Sequence, residues 1–246
     1  DLQPLYKFNL DINQRIDHIV NGGTITDAHF TGSVVMLNNG TISGGDFTKV
    51  ERIDNDGTIS GGSFGISSAI RIENSGTITN GNFGYKAKIK NSGTVCGGTF
   101  EGTFTNDPYG KIEGSPVFNR TSEKHSDIIE VVNYGTISGG TFNYIVENYG
   151  TVSGGTYECS FTNYENGTIE CSNDDAVKVK GDRYSFDNRG TVNGGTFNTG
   201  MTFNSGKIEY GTFTGELWNI SVLREIVNNT ISNYISNFSN SFEVIK

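Results

Sequence analysis

The stretch NYGTISGGTF, residues 133–142, recurs along most of the chain and decides the fold. Close copies are NNGTISGGDF from Asn38, NDGTISGGSF from Asn55, NSGTITNGNF from Asn74, NSGTVCGGTF from Asn91, NYGTVSGGTY from Asn148 and NRGTVNGGTF from Asn188. If the glycine of each Gly-Thr-Ile or its equivalent is taken as a mark, successive marks from Gly23 to Gly206 lie 15 to 25 residues apart, most often 17. A repeat this short is typical of stacked units that bury one face against each other, each unit being one coil of a β-solenoid.

Three apolar columns run through the repeat. The residue two after the mark is always Ile or Val, the residue seven after it is Phe or Tyr in most coils, and the residue four before the next mark is usually apolar. β-Branched and aromatic side chains suit the pleated, buried face of a sheet. Three such columns separated by polar or glycine corners predict three short strands in each coil.

The corners carry residues that allow tight turns. The Gly-Gly pair, as in Gly139 and Gly140, can adopt positive φ without a Cβ clash. The asparagine two before the mark, as in Asn133, tolerates the left-handed region and can stack with its equivalents into an amide ladder. We therefore interpret these asparagines as part of the architecture.

The sequence predicts an all-β fold, a single-stranded, three-sided parallel β-helix of about 11–12 coils. We expect residues 1–22 to form an N-terminal cap, residues 23–215 the solenoid and residues 216–246 a C-terminal cap. The C-terminal cap is expected to combine a short helix with a degenerate last coil, a single longer amphipathic helix being the alternative. The positions at helical spacing are Leu217, Ile220, Leu223 and Ile226. The pattern specifies neither the handedness nor the oligomeric state.

Composition excludes several classes of function. The formal net charge of -9 disfavours nucleic acid, because binding to phosphates draws on clustered Lys and Arg. No apolar run approaches the length of about 18 residues that spans a bilayer, and the first residues lack the pattern of a signal peptide. Cys96, Cys159 and Cys171 form neither a disulfide framework nor a paired metal-binding motif. We expect no nucleic-acid partner, no membrane insertion, no cofactor and no metal.

From Gly23 to about Ser221 the chain resembles the Gly-Thr-Ile-Ser-Gly-Gly repeats of parallel β-helix proteins, which are frequent among bacterial surface and secreted proteins such as adhesins. The resemblance implies a secreted or cell-surface location. It also implies a non-catalytic recognition module that binds glycans or host proteins. Shared architecture does not assign an activity, because the same fold class also contains polysaccharide-degrading enzymes.

A polysaccharide lyase or hydrolase is the alternative function. The segment SNDDAVKVKG, residues 172–181, resembles the paired-aspartate segment of polygalacturonases, which would give Asp174 and Asp175 the acid and water-activating roles. Lys178, Lys180 or Arg183 would assist them. The Gly-His-Gly and Arg-Ile-Lys elements of those enzymes do not occur here, so a turn explains the two aspartates better and no catalytic residue is assigned.

The position directly before the mark departs from the repeat in three coils, where it holds Tyr109, Tyr134 and Tyr149. We expect these rings to form an exposed ladder that binds the ligand, together with Glu123 and Asp127 from the long insertion nearby. Exposed tyrosines stack on sugars and dominate protein recognition sites. The alternative is that the ladder only stabilises the stack through cross-strand pairing.

Ice binding is a third hypothesis. The Thr-Ile-Ser strands predict two outward hydroxyl columns on a flat face, and ice-binding solenoids carry comparable arrays. Here Cys96, Glu170 and Asn193 interrupt the array. The β-propensity of threonine therefore explains it better.

Overall fold

The computed structural model describes residues 16–30, 33–119, 130–171, 176–219 and 235–237. Within these ranges the fold is all-β, without a helix, and it is a parallel β-solenoid of about 11 coils. The fold class predicted from the repeat is confirmed.

The strands of the first half are short and follow one another at every corner. They are β1 (Ile16–Asn21), β2 (Thr24–Ile25), β3 (Val34–Asn38), β4 (Thr41–Ile42), β5 (Asp46–Phe47), β6 (Arg52–Asn55), β7 (Thr58–Ile59), β8 (Ser63–Phe64), β9 (Ile70–Asn74), β10 (Thr77–Ile78), β11 (Asn82–Phe83), β12 (Ala87–Asn91), β13 (Thr94–Val95), β14 (Thr99–Phe100), β15 (Thr103–Asn106), β16 (Lys111–Ile112) and β17 (Val117–Phe118).

Several of the later strands are long and continue through a corner. The later strands are β18 (Val131–Asn133), β19 (Thr136–Phe142), β20 (Val146–Asn148), β21 (Thr151–Tyr157), β22 (Phe161–Asn163), β23 (Thr168–Glu170), β24 (Val177–Asn188), β25 (Thr191–Asn204), β26 (Lys207–Asn219) and β27 (Ile235–Asn237).

Each strand pairs in parallel with the strand one coil away on the same side of the rod, as in β1 with β3, β2 with β4 and β5 with β8. We name the sides by their strands. Side A carries the strands that end at a buried asparagine, side B the Thr-Ile or Thr-Val strands, and side C the strands that end at the aromatic column. The three strands per coil predicted from the columns are present.

Aromatic rings stack along the core behind side C. Phe83 lies between Phe64 and Phe100, with ring centroids 4.8 and 4.6 Å away. Where Val179 replaces the aromatic residue, the stack continues through two rings of side A, Phe161 and Phe186, and returns to side C at Phe197. Offset stacking of rings adds to the free energy gained by burying their apolar surface.

A ladder of buried asparagine side chains runs along the rod at the corner between sides A and B. The Nδ2 of Asn38 donates to Oδ1 of Asn55 over 2.6 Å and also to the carbonyl oxygens of Gly40 and Thr58 over 3.3 Å. The same side-chain bond repeats in successive coils. It joins Asn21, Asn38, Asn55, Asn74, Asn91, Asn106, Asn133, Asn148, Asn163, Asn188 and Asn204. The predicted amide ladder is present, and its members satisfy each other in the interior.

Two members of this ladder, Asn106 and Asn163, are absent from the column of asparagines two before the mark. In their coils the corner is longer, because Pro108 and Tyr109 or Glu165 and Asn166 stand between the asparagine and the mark. The register of side A and of the residue after it is therefore set by the asparagine, whereas side B keeps the register of the marked glycine. This shift decides which tyrosines share a column.

The marked glycines are required by the close stacking of coils. A Cβ on Gly57 would overlap the carbonyl oxygen of Gly40 in the coil before it. At Gly23, in the first described coil, an added Cβ meets none of the described residues within 4 Å. Neither glycine has a positive φ. Positive φ occurs at the corner between sides B and C, as at Gly62 with a φ of 106°.

Both predicted caps lie mostly outside the described residues. Of the N-terminal region 1–22, β1 belongs to side A and pairs with β3. Of the four apolar positions assigned to a C-terminal helix, Leu217 lies in β26, and Ile220, Leu223 and Ile226 lie outside the described residues. β27 pairs with the end of β26.

In the described ranges there is no helix with the length and apolar character needed to cross a membrane. The same ranges contain no cluster of three or more His, Cys, Asp or Glu that could hold a metal ion.

Candidate recognition surface on side A

The outward residues of side A change in character along the rod. In the N-terminal half they form ion pairs, such as Arg52 with Asp54 at 2.7 Å and Lys90 with Asp107 at 3.1 Å. In the middle of the rod the outward positions of β18 and the residue before β20 hold Val132 and Ile145. Ile145 is 42% exposed. The surface is therefore charged and paired first, and apolar where the tyrosines begin.

A column of tyrosines lies beside this apolar region, in the position directly after the ladder asparagine. Ring centroids of Tyr134 and Tyr149 are 5.0 Å apart, and those of Tyr149 and Tyr164 are 4.2 Å apart. The backbone N–H of each tyrosine donates to the carbonyl of the ladder asparagine in the preceding coil. Because the buried ladder fixes the backbone, the three rings stack at the coil spacing. We name Tyr134, Tyr149 and Tyr164 the tyrosine ladder.

The prediction that Tyr109 belongs to this column is wrong. Asn106 pairs with Asn133, so Asp107 holds the position that Tyr134 holds in the next coil. Tyr109 stands two residues further on, in the lengthened corner, and is 85% exposed. Tyr164 was missed for the same reason, since its corner is also two residues longer. Alignment on the asparagines instead of the glycines would have found it.

Arg189 follows Tyr164 in the column and covers its far face. The guanidinium lies 5.2 Å from the centre of the Tyr164 ring, and its Nη2 is 2.7 Å from Oδ2 of Asp187. A cation over a tyrosine face is attracted by the ring quadrupole. The C-terminal end of the ladder is thus closed by a cation that a carboxylate holds in place.

Glu147 occupies the hydroxyl groups of two ladder residues. Its Oε1 accepts from the hydroxyl of Tyr164 over 3.2 Å, and its Oε2 accepts from the hydroxyl of Tyr149 over 3.4 Å. Burial, the hydrogen bond with Tyr164 and the negative charge of Glu147 raise the pKa of Tyr149. The hydroxyl of Tyr149 therefore stays protonated at neutral pH, and the hydroxyls of both tyrosines are bonded within the ladder itself.

The N-terminal end of the ladder is open. Tyr134 is 45% exposed and stacks on Tyr149 with one face. Its other face is directed toward the coil of Asp107. Among the described residues, no ring or cation is recorded on that face. Tyr134 is thus the ladder residue with an accessible ring.

Two carboxylates also lie on side A in the coils of Tyr134 and Tyr149. Glu130 directly precedes Val131, an inward residue of side A, so alternation places Glu130 outward, near Ile145 and Glu147. Burial and the negative charge of Glu147 raise the pKa of Glu130. The carboxylate of Glu130 therefore lies where a positive charge would be favourable.

The remaining predicted ligand residues, Glu123 and Asp127, lie outside the described residues. So do Asp174 and Asp175, the aspartates of the enzymatic alternative. Of their suggested assistants, Lys178 is an outward residue of side C, Lys180 lies 3.9 Å from Glu158 and Arg183 is exposed.

Side B presents the predicted threonine column, interrupted by Lys111 and Lys207. Several hydroxyls of the second column do not face solvent freely. Ser43 and Ser60 donate to the carbonyls of Ile25 and Ile42 in the preceding coil, over 3.1 and 3.4 Å. These hydroxyls therefore contribute to the stacking of coils.

A shallow depression of about 430 Å³ lies at the corner between sides B and C. Its floor is made of glycines, and its polar side chains are Asn80, Asn82, Thr99 and Glu101. Burial raises the pKa of Glu101. The depression is several coils away from the tyrosine ladder.

Comparisons of the chain with protein-family models, with curated proteins and with solved structures find no match.

Proposed function

We propose that the protein is a non-catalytic recognition module that binds a partner protein through side A. The contact surface consists of Tyr109, Val132, Tyr134 and Ile145, which we name the open tyrosine surface. The observation that carries the proposal is the exposure of Tyr109, Tyr134 and Ile145, at 85, 45 and 42%. Exposed tyrosines beside apolar residues have the composition of the energetically dominant centre of a protein interface.

The geometry of the ladder favours a protein over a glycan. Sugars stack on open ring faces, and both faces of Tyr149 and of Tyr164 are covered by neighbouring rings or by Arg189. The hydroxyls of these two tyrosines also have a partner in Glu147. A glycan would be left with the rings of Tyr109 and Tyr134, whereas a protein segment can use the apolar residues as well.

A secreted or cell-surface location belongs to the same proposal. The resemblance to repeats of bacterial surface and secreted proteins supports it, as does the exposed aromatic surface, which suits contact with a host protein. An adhesin-like role in which the rod presents side A follows from these two features.

Selection from a random peptide library tests this function. Peptides selected on the wild-type protein are expected to bind a Tyr109→Ala/Tyr134→Ala double variant at least about tenfold more weakly, because truncation of central aromatic residues costs more than about 1.4 kcal/mol. A Thr58→Ala variant on side B is the control and should bind normally. Equal binding to the double variant would contradict the proposal. If no peptide is selected and the protein binds a glycan array in a way that depends on Tyr109 and Tyr134, the ligand is a glycan and not a protein.

A further inference from the structure

We infer that the open face of Tyr134 binds a positively charged side chain, an arginine of a basic partner segment, with the carboxylate of Asp107 beside it. This inference rests on the proposed function and names the chemistry of the partner. It is carried by a comparison of the two ends of the tyrosine ladder, of which one has a cation on its ring face and the other has none among the described residues.

The C-terminal end of the ladder, at Tyr164, combines a ring, a cation and a carboxylate. Arg189 lies over the ring of Tyr164 at 5.2 Å, and Asp187 holds the guanidinium at 2.7 Å. Arginine suits this arrangement because its planar guanidinium can stack on a ring while its N–H groups donate to a carboxylate in the plane of the guanidinium. The protein thus already uses an aromatic face, a guanidinium and a carboxylate together.

The open end has the ring and the carboxylates without the cation. Asp107 holds the column position before Tyr134, as Arg189 holds the one after Tyr164. Glu130 and Glu147 lie on the adjoining part of side A. A guanidinium on the open face of Tyr134 would therefore meet the ring quadrupole and the carboxylate of Asp107, which it would share with Lys90, while Glu130 and Glu147 add negative charge at longer range.

Among the described residues no cation lies over the ring of Tyr134, although Lys111 is exposed on side B in the coil of Asp107. Lys90 pairs with Asp107 from the coil before it, on the side away from Tyr134. Lys88 and Arg71 lie further toward the N-terminus on side A. The chain as a whole carries a net charge of -9, so a basic partner is attracted at long range as well.

Titration with model peptides tests the inference. Hexa-arginine is expected to bind the wild-type protein, and hexa-citrulline, which has the same shape without the charge, at least about tenfold more weakly. Tyr134→Leu should weaken binding of hexa-arginine about three- to thirtyfold, since it removes the aromatic face and keeps an apolar side chain. Asp107→Asn should also weaken it, because it removes a carboxylate and frees Lys90 to repel the peptide.

Asp56→Asn is the matched control. Asp56 occupies the same column position three coils before Asp107 and is far from the tyrosines. The variant loses the same charge and should bind hexa-arginine within about twofold of the wild-type protein. Equal losses in Asp56→Asn and Asp107→Asn, or unchanged binding to Tyr134→Leu, would overturn the inference in favour of diffuse attraction.

The two proposals fail in different ways. One result is that library peptides depend on Tyr109 and Tyr134 while hexa-arginine binds the wild-type protein and Tyr134→Leu equally. That result would support the open tyrosine surface as the binding site and contradict the inference that it binds an arginine. If neither kind of peptide depends on the tyrosines, both proposals are contradicted. Thermal unfolding of each variant shows whether a loss of fold causes weaker binding. We expect the unfolding temperature of Tyr134→Leu to stay close to that of the wild-type protein, because Tyr134 is half exposed.

Discussion

Asn38→Ala is expected to lower the free energy of unfolding by about 3 to 5 kcal/mol, whereas Asn39→Ala, one residue away, should change it by less than about 0.5 kcal/mol. The Asn38 side chain is fully buried, and Asn39 is exposed. The pair compares the same substitution in one coil, once inside the ladder and once outside it. Chemical denaturation of both variants gives the two values.

The large effect at Asn38 follows from the groups that it leaves without partners. The Oδ1 of Asn55 loses its donor, and the Nδ2 of Asn21 loses one of its two acceptors, each at 2.6 Å in the native ladder; the Nδ2 of Asn21 keeps the carbonyl oxygen of Thr41 at 3.2 Å. A buried amide group without a partner costs roughly 1–3 kcal/mol. Similar values for the two variants would show that the asparagines do not hold the coils together.

Gly57→Ala is expected to destabilise the fold by about 3 kcal/mol or more, and Gly23→Ala to leave stability unchanged or raise it slightly. A Cβ on Gly57 overlaps the backbone of the coil before it, including the oxygen of Gly40. That oxygen accepts from the N–H of Thr58 over 2.8 Å, so moving the coils apart also weakens the ladder of backbone hydrogen bonds.

Gly23 is the matched control for Gly57. It is the marked glycine of the first described coil, and an added Cβ there meets no atom of the described part of the chain within 4 Å. Thermal unfolding of the two variants separates the steric cost of coil stacking from the general effect of replacing glycine. An equal loss in both variants would place the cost in backbone flexibility and contradict the stacking argument.

The fold was predictable from the sequence because its rules are local and repeated. A β-branched residue, an aromatic residue and a glycine corner recur in nearly every coil, and each has a single physical reason to be there. The register of the candidate site was not predictable from the same marks. The exposed corner after Asn106 and Asn163 tolerates two extra residues. The hydrogen bonds between buried asparagine side chains of neighbouring coils keep these two residues in register despite the insertions.

The chemistry of the tyrosines depends on contacts between coils that the sequence does not reveal. Glu147 lies two residues before Tyr149 in the chain, yet its second hydrogen bond reaches Tyr164 in the next coil. Arg189 reaches the face of Tyr164 across a coil of 25 residues, counted from Asn163 to Asn188. Spacing alone assigned equal roles to the tyrosines, and the structure leaves Tyr109 and Tyr134 accessible.

Oxidative footprinting of tyrosines, with and without a saturating library peptide, tests the recognition surface most directly. In the free protein we expect Tyr109 and Tyr134 to be oxidised faster than Tyr149 and Tyr164. The peptide should protect Tyr109 and Tyr134 and leave Tyr184, which is 40% exposed at another corner, unchanged. Protection of Tyr184 with no change at Tyr109 and Tyr134 would contradict the account.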